Sequence, residues 1–160
     1  MAQVDYFLKL DGIPGESLNP EYKENIDVES WSWGVSNSGN AIGRAAGGGA
    51  GKASAQDIHF TALLSKASPQ LALACTNGKH IPSATLTCIE SGRSSLNFLT
   101  ITLTEVFVTN WETSASGDRP TDQFTLNFAK MEIDYRPQNP DGALGEALRA
   151  PLDFAKFLKY

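Results

Sequence analysis

The sequence predicts a mainly β fold, an antiparallel β-barrel of two packed sheets with one flanking α-helix over about residues 68–77. Three observations predict it. Apolar and polar residues alternate through most of the chain, the period-2 pattern of half-buried strands. Two long strand segments change the face that carries their apolar residues partway along, as bent or bulged strands do in closed barrels. Only one segment carries clear helix start and stop signals.

The first strand runs from Val4 to Leu10, with Val4, Tyr6, Leu8 and Leu10 on one face, and ends at the turn-rich "DGIPGES". The second is "IDVESWSWGVSN", Ile26 to Asn37, in which Ile26 and Val28 hold even positions and Trp31, Trp33 and Val35 odd ones. A flat strand cannot send all five to one side, so this one bends. Residues 38–54, "SGNAIGRAAGGGAGKAS", carry glycines at 39, 43, 47, 48, 49 and 51. Such a loop cannot be packed by its own side chains, stays mobile until something packs on it, and is long for a compact domain. "QDIHFTALL" returns to strand.

In "SPQLALACTNGK", Ser68 suits the helix cap, Pro69 the first turn and Gly78 the left-handed exit, with Leu71, Ala74 and Cys75 on one stripe and Leu73 beside it. Strands follow in "SATLTCIE", in "LNFLTITLTEVFVTNW" after a tight "SGRSS" connection, and in "DQFTLNFAKMEIDY". The last repeats the change of face, from Phe124, Leu126 and Phe128 to Met131, Ile133 and Tyr135. "RPQNPDG" breaks the chain, and the tail 143–160 stays open between short helix and strand because Pro151 interrupts either pattern.

Length and charge narrow the function. A chain of 160 residues reads as one domain with a real core, and 13 basic against 18 acidic residues leave a net charge of −5. With no Lys/Arg run, nucleic acid and anionic membranes are disfavoured as partners. Seven acids fall within the first thirty residues (Asp5, Asp11, Glu16, Glu21, Glu24, Asp27 and Glu29), which reads as one polar, solvated edge. The N-terminus enters strand pattern directly, without a signal-peptide profile, and no apolar stretch approaches the roughly 20 residues of a membrane helix. Cys75 and Cys88 are too few for a disulfide framework, and Cys88 shares the parity of Ala84 and Leu86, as a small buried hydrophobe would.

The faces opposite the expected core are small and uncharged. Ser30 and Ser32 flank the tryptophans, Thr100, Thr102 and Thr104 alternate with Leu99, Ile101 and Leu103, Thr85 and Thr87 flank Leu86, and Thr125 and Asn127 flank Leu126. Two readings stand at this point: threonine is simply a good strand former, or these residues make a wet wall facing a cavity or an assembly interior.

Catalytic patterns are absent. "GGGAGKA" fails the phosphate-loop pattern at Ala46 and Ala53, His59 and His80 have no clustered third ligand, and there is no nucleophile elbow or motif-placed carboxylate pair. No cofactor is expected, and an esterase- or amidase-like enzyme has no residues to support it. Trp31, Trp33, Trp111 and Phe107 follow core parity rather than that of a ligand-binding face.

"DYFLKLDGIPGES", "IDVESWSWGVSN", the loop ending "GGGAGK", "QDIHFT", "SPQLALACTNGKHIPSATLT", "TLNFAKMEIDYRPQ" and the following "DG" closely resemble the Hcp (haemolysin-coregulated protein) family, the inner-tube proteins of bacterial type VI secretion systems. The resemblance runs in order from about residue 4 to 142. The tail departs from the expected closing strand with an aromatic–Asp element, a role "APLDFAKF" is placed to fill. The resemblance implies a β-barrel with one helix, assembled into a homohexameric ring that stacks into a hollow tube. A contractile sheath on a baseplate fires that tube, tipped by a spike protein, after its lumen has held effector proteins. It further implies a non-enzymatic subunit with too few residues after 142 for a fused toxin domain, cytoplasmic before firing and then secreted without a cleaved signal peptide, with no nucleic acid and no membrane insertion. Ser30, Ser32, Thr100 and Thr102 are then the expected lumen and effector contacts. Gly43, Arg44, Gly47, Gly48, Gly49 and Lys52 are the expected ring-stacking or subunit contacts. The competing class is a monomeric β-sandwich that binds a carbohydrate or other ligand.

Overall fold

The computed structural model describes residues 3–37, 53–91 and 96–154. Its strands are β1 (Gln3–Leu10), β2 (Ile26–Val28), β3 (Ser30–Ser32), β4 (Val35–Asn37), β5 (Ala53–Ala55), β6 (Ile58–Leu63), β7 (Ile81–Ser91), β8 (Leu96–Ser114), β9 (Thr121–Tyr135) and β10 (Leu148–Asp153), with one helix, α1 (Ala67–Asn77). An eight-stranded sheet runs in the order β2-β1-β7-β8-β9-β6-β3, with β10 also on β9, and β4 and β5 form a separate ribbon. Every strand pairing is antiparallel.

The segment expected as one bent strand is three short ones with different partners. β2 pairs with β1 through Ile26↔Leu8 and Val28↔Tyr6, and β3 pairs with β6 through Trp31↔Phe60. One stretch of chain thus binds both ends of the sheet and nearly closes it into a barrel. Glu29 makes the handover, its amide donating to the carbonyl of Thr61 at 2.8 Å. The change of parity is the consequence: Ile26 and Val28 point inward, Glu29 and Ser30 both stand outside, and Trp31 turns back in to meet Tyr6 edge-on at 6.4 Å. Val35 does not follow the tryptophans. Its strand pairs with β5 rather than the barrel, and it is 50 % exposed. Ala53 and Ser54, read from the sequence as loop, are strand residues of that ribbon.

The second change of face extends beyond β9. Ile81, Val106 and Phe128 stand in register as one buried rung, and Ala84, Leu103 and Met131 as the next. Between these rungs Pro82–Ser83, Thr104–Glu105 and Ala129–Lys130 all lie outside the core. Neighbouring strands share their faces, so a flip in one must be matched by the next. Here the match makes a crease across β7, β8 and β9. Glu105 takes the left-handed conformation at its centre, φ 59°, a conformation that disfavours most residues with a Cβ.

The core holds Leu8, Ile26, Ile58, Phe60, Leu71, Ile81, Leu86, Leu103, Phe124 and Leu126, all essentially solvent-free, with Cys88 among them as expected. The sequence pattern errs at Val4, which is 37 % exposed at the end of β1, and it omits Phe7. Phe7 is buried on the opposite side of β1 because Tyr22 stacks on it, ring centres 4.9 Å apart, from the loop after β1. That loop returns on itself through Gly15 N–Glu24 O and Ser17 N–Asn25 O hydrogen bonds, and a Cβ on Gly15 would collide with the backbone of Asn25 and Ile26.

Helix α1 begins one residue earlier than predicted, and Ser68 is not its cap. The cap position is Lys66, which makes no side-chain cap bond. Instead Ser65 Oγ accepts from the Ala67 amide, while Ser68 Oγ accepts from the Ser65 amide and donates to Asp122 of β9 inside the protein. Gly78 provides the left-handed exit, φ 62°. The open tail becomes a strand: β10 lies along residues 130–135 of β9, with Pro151 opposite Glu132 on the sheet edge, where proline is tolerated.

Glu105→Gly is expected to keep or raise stability by up to about 1 kcal/mol, since glycine relieves the left-handed backbone and only an exposed ion pair to His80 is lost. Glu105→Val is expected to lower stability by about 1–2 kcal/mol. Urea unfolding of both variants at matched protein concentration checks the pair.

Candidate functional site

Two polar faces lie outside the barrel, and they differ in charge. The first is built on β3, β6, the first half of β9 and the end of β8. Ser32 stands opposite His59, which stands opposite Thr125, while Ser30 leads to Thr61 and Gln123. Ser30, Ser32, His59, Gln123 and Asn127 are exposed. The register of β8 against β9 shifts between Val108 and Asn110, leaving Thr109 as a bulge, and the bulge aims its hydroxyl along the surface. Thr109 Oγ1 donates to Asp57 Oδ2 at 2.6 Å and lies 2.7 Å from Thr125 Oγ1. Asn127 Nδ2 donates to the other Asp57 oxygen at 2.9 Å. The Asp57 carboxylate is therefore held by neutral groups. The face around it is mostly hydroxyls and amides, with one further carboxylate, the exposed Glu112 opposite Gln123, accepting from Asn110 Nδ2 at 3.4 Å.

The second face lies across the crease on β1, β7, the first half of β8, the second half of β9 and β10. Thr102 stands between Thr85 and Glu132, and Thr100 between Thr87 and Asp134. Asp134 accepts from Arg149 Nε at 3.0 Å, and Lys9 and Lys130 occupy neighbouring outward positions. This wall is charged.

The expected lumen set therefore divides. Ser30 and Ser32 lie together, exposed, on the sparsely charged face; Thr100 and Thr102 are half-buried on the more charged one, and Thr100 spends its hydroxyl on Asn97 Oδ1 at 3.2 Å. Two threonines expected on a wet wall are buried, Thr87 beside Phe7 and Thr125 within the Asp57 network. Gly43, Arg44, Gly47, Gly48, Gly49 and Lys52 lie outside the described residues; the β4–β5 ribbon leads into that stretch from both sides. The Asp57–Thr109–Asn127 group escaped the sequence reading, because its members come from three separate segments and meet only through the bulge.

The tryptophans serve the core. Trp33 packs with Phe128 and Phe154 at 6.2 and 6.3 Å and donates its Nε1 to the Gln56 carbonyl at 2.8 Å. Phe107, expected on the core face, instead points outward between the buried Val106 and Val108 and is 37 % exposed beside His80. Burial pushes the Cys88 thiol up to about 11, partly offset by a hydrogen bond from Trp31, which leaves it protonated and inert at neutral pH. Among the described residues no group of three His, Cys, Asp or Glu side chains is placed to hold a metal ion, and no helix is long and apolar enough to cross a membrane.

Four of the seven early acids line an open groove of about 450 Å³, and all but Asp5 of the seven are exposed. Asp5, Glu16, Asp27 and Glu29 line it with Phe7, Leu18 and Leu63. Partial burial holds the Asp27 carboxyl above the usual range, reinforced by Asp5 and Glu16 and opposed by a hydrogen bond from Ser17.

The fold is shared with proteins of known structure. The family model "Type VI secretion system effector, Hcp" matches residues 7–135. The chain belongs to the Hcp family. It is 46 % identical over 143 residues to the protein Hcp1 of Pseudomonas aeruginosa, covering 88 % of each chain. Hcp1 of Salmonella typhimurium superposes with a TM-score of 0.79 at 31 % identity over 98 % of both chains. A solved type six secretion system protein reaches 0.90 at 26 % identity over 99 % of this chain and all of its own. This Hcp chain is thus a type VI secretion protein, with the fold expected of it.

Asp27→Asn should raise the thermal midpoint at pH 7. The folded pKa lies above the unfolded one, so the destabilisation is absent below the ordinary value of 3.8, sets in as pH rises through it, and is complete above the raised value. The gain should vanish below about that pH; midpoints measured across pH 3–8 decide it.

Proposed function

We propose that this chain is the structural subunit of a type VI secretion tube. It forms homohexameric rings that stack, and it carries effector proteins in the lumen. The observation that carries the cargo reading is the exposed hydroxyl- and amide-lined face around Ser30 and Ser32, whose one central carboxylate, Asp57, is already bonded to Thr109 and Asn127. A wet, weakly charged wall holds varied proteins loosely, because little apolar area is desolvated and few fixed charges select among them. On this reading Ser30 and Ser32 touch cargo, and the Thr100/Thr102 face, with its opposed charges, serves contacts outside the lumen.

The loop containing Gly43, Arg44, Gly47, Gly48, Gly49 and Lys52 reaches the adjoining subunit or ring. The subunit is a single domain and performs no chemistry. It is cytoplasmic before firing and exported without a cleaved signal. Its partners are its own copies, the effectors, the spike at the tip, and the sheath and baseplate; neither nucleic acid nor a membrane interior is among them. Membership of a secreted type VI family and the core packing of the tryptophans support this reading over a monomeric sugar-binding module.

Native mass spectrometry of the purified protein is expected to show a six-subunit species at micromolar concentration, and a monomer alone would refute the proposal. Ser32→Arg is expected to leave the ring mass unchanged while lowering co-purification of effectors at least several-fold; loss of the folded barrel would place Ser32 in the core instead. Deleting residues 43–51 is expected to reduce stacking, seen as shorter tubes by electron microscopy, more than ring closure. Equal loss of both would refute that division.

A further inference from the structure

Among the described residues two buried side-chain polar atoms lack a partner, and they are complementary: the donor Trp111 Nε1 and the acceptor Asp122 Oδ1. Asp122 is 2 % exposed, and its other oxygen accepts from Ser68 at the start of α1. Trp111 packs against the core. The strand register brings the two together. Trp111 stands opposite Phe124 and Thr113 opposite Asp122, so the indole and the carboxylate occupy consecutive rungs on the same face of β8 and β9. Diagonal neighbours of this kind have their Cβ atoms about 7–8 Å apart, within reach of an aromatic side chain. The rung is inward, since Phe124 is buried beside them.

An unpaired buried donor or acceptor costs roughly 1–3 kcal/mol, and native proteins meet such needs with a buried water that has at least two polar partners. We infer that Trp111 Nε1 and Asp122 Oδ1 form an internal binding site for one water molecule. It accepts from the indole N–H and donates to the carboxylate, completing a chain from β8 through Asp122 to Ser68 of α1. The water locks the helix to the two longest strands of the barrel.

A crystal structure of the full chain at a resolution that shows ordered water tests this directly. The expected result is a density peak about 2.7–3.2 Å from both Trp111 Nε1 and Asp122 Oδ1. A direct bond between the two side chains, another protein acceptor on the indole, or no peak between them would each overturn the proposal. In solution, Trp111→Phe and Asp122→Asn are expected to lower the thermal midpoint by amounts that do not add in the double variant, because both act on one bridge. Additive shifts would argue against it. If the variants fail to fold, the indole proton of the unaltered protein still decides. Magnetisation transfer from a slowly exchanging water to Trp111 Hε1 is expected, and its absence would overturn the site.

Discussion

The barrel depends on one constraint: seven residues, Ile26 to Ser32, must hydrogen-bond to both ends of the sheet. β2 satisfies the free edge of β1 and β3 satisfies that of β6, so neither remains open as a template for unwanted pairing. Glu29 and Ser30 are the cost of the turn between them, two successive outward residues that would be an error in a flat strand. Trp31 secures the far side through its edge contact with Tyr6. The serines beside Trp31 are outward for the same reason that the tryptophan is inward. The closure of the core and the character of the surface are one geometric fact.

The crease divides that surface. Because β7, β8 and β9 change face on the same rungs, the sheet bends as a unit and encloses a core from both halves. The outer wall is thereby split into a sparsely charged part beside β3 and β6 and a more densely charged part beside β10. The two halves are held by different chemistry, hydroxyl and amide bonds about Asp57 on one side and the Arg149–Asp134 pair on the other.

Much of this was legible before any coordinates. Alternation found the strands, the two changes of parity announced a bent and closed sheet, and Gly78 marked the helix exit. The ordered motifs pointed to the Hcp family, and the match over residues 7–135 bears that out. The misreadings share a cause. Ser68 resembles a cap because it precedes a proline, yet its hydroxyl is drawn inward by Asp122, some fifty residues later in the chain. Thr87 and Thr125 resemble surface threonines until the loop carrying Tyr22 and the Thr109 bulge cover them. Val35 has the right parity, but its strand has left the barrel.

What the sequence by itself determined was whatever depends on near neighbours: strand and helix periods, turn chemistry, the acidity of the first thirty residues and the lack of a catalytic pattern. Only the tertiary structure decided which polar residues share a face. Ser32 and Thr102 look alike along the chain, each a small hydroxyl between apolar residues. Their surroundings are set by the strands alongside, His59 and Thr125 for one, Glu132 and Lys9 for the other. Charge acts through space, and strand register, a long-range property, decides what stands beside what.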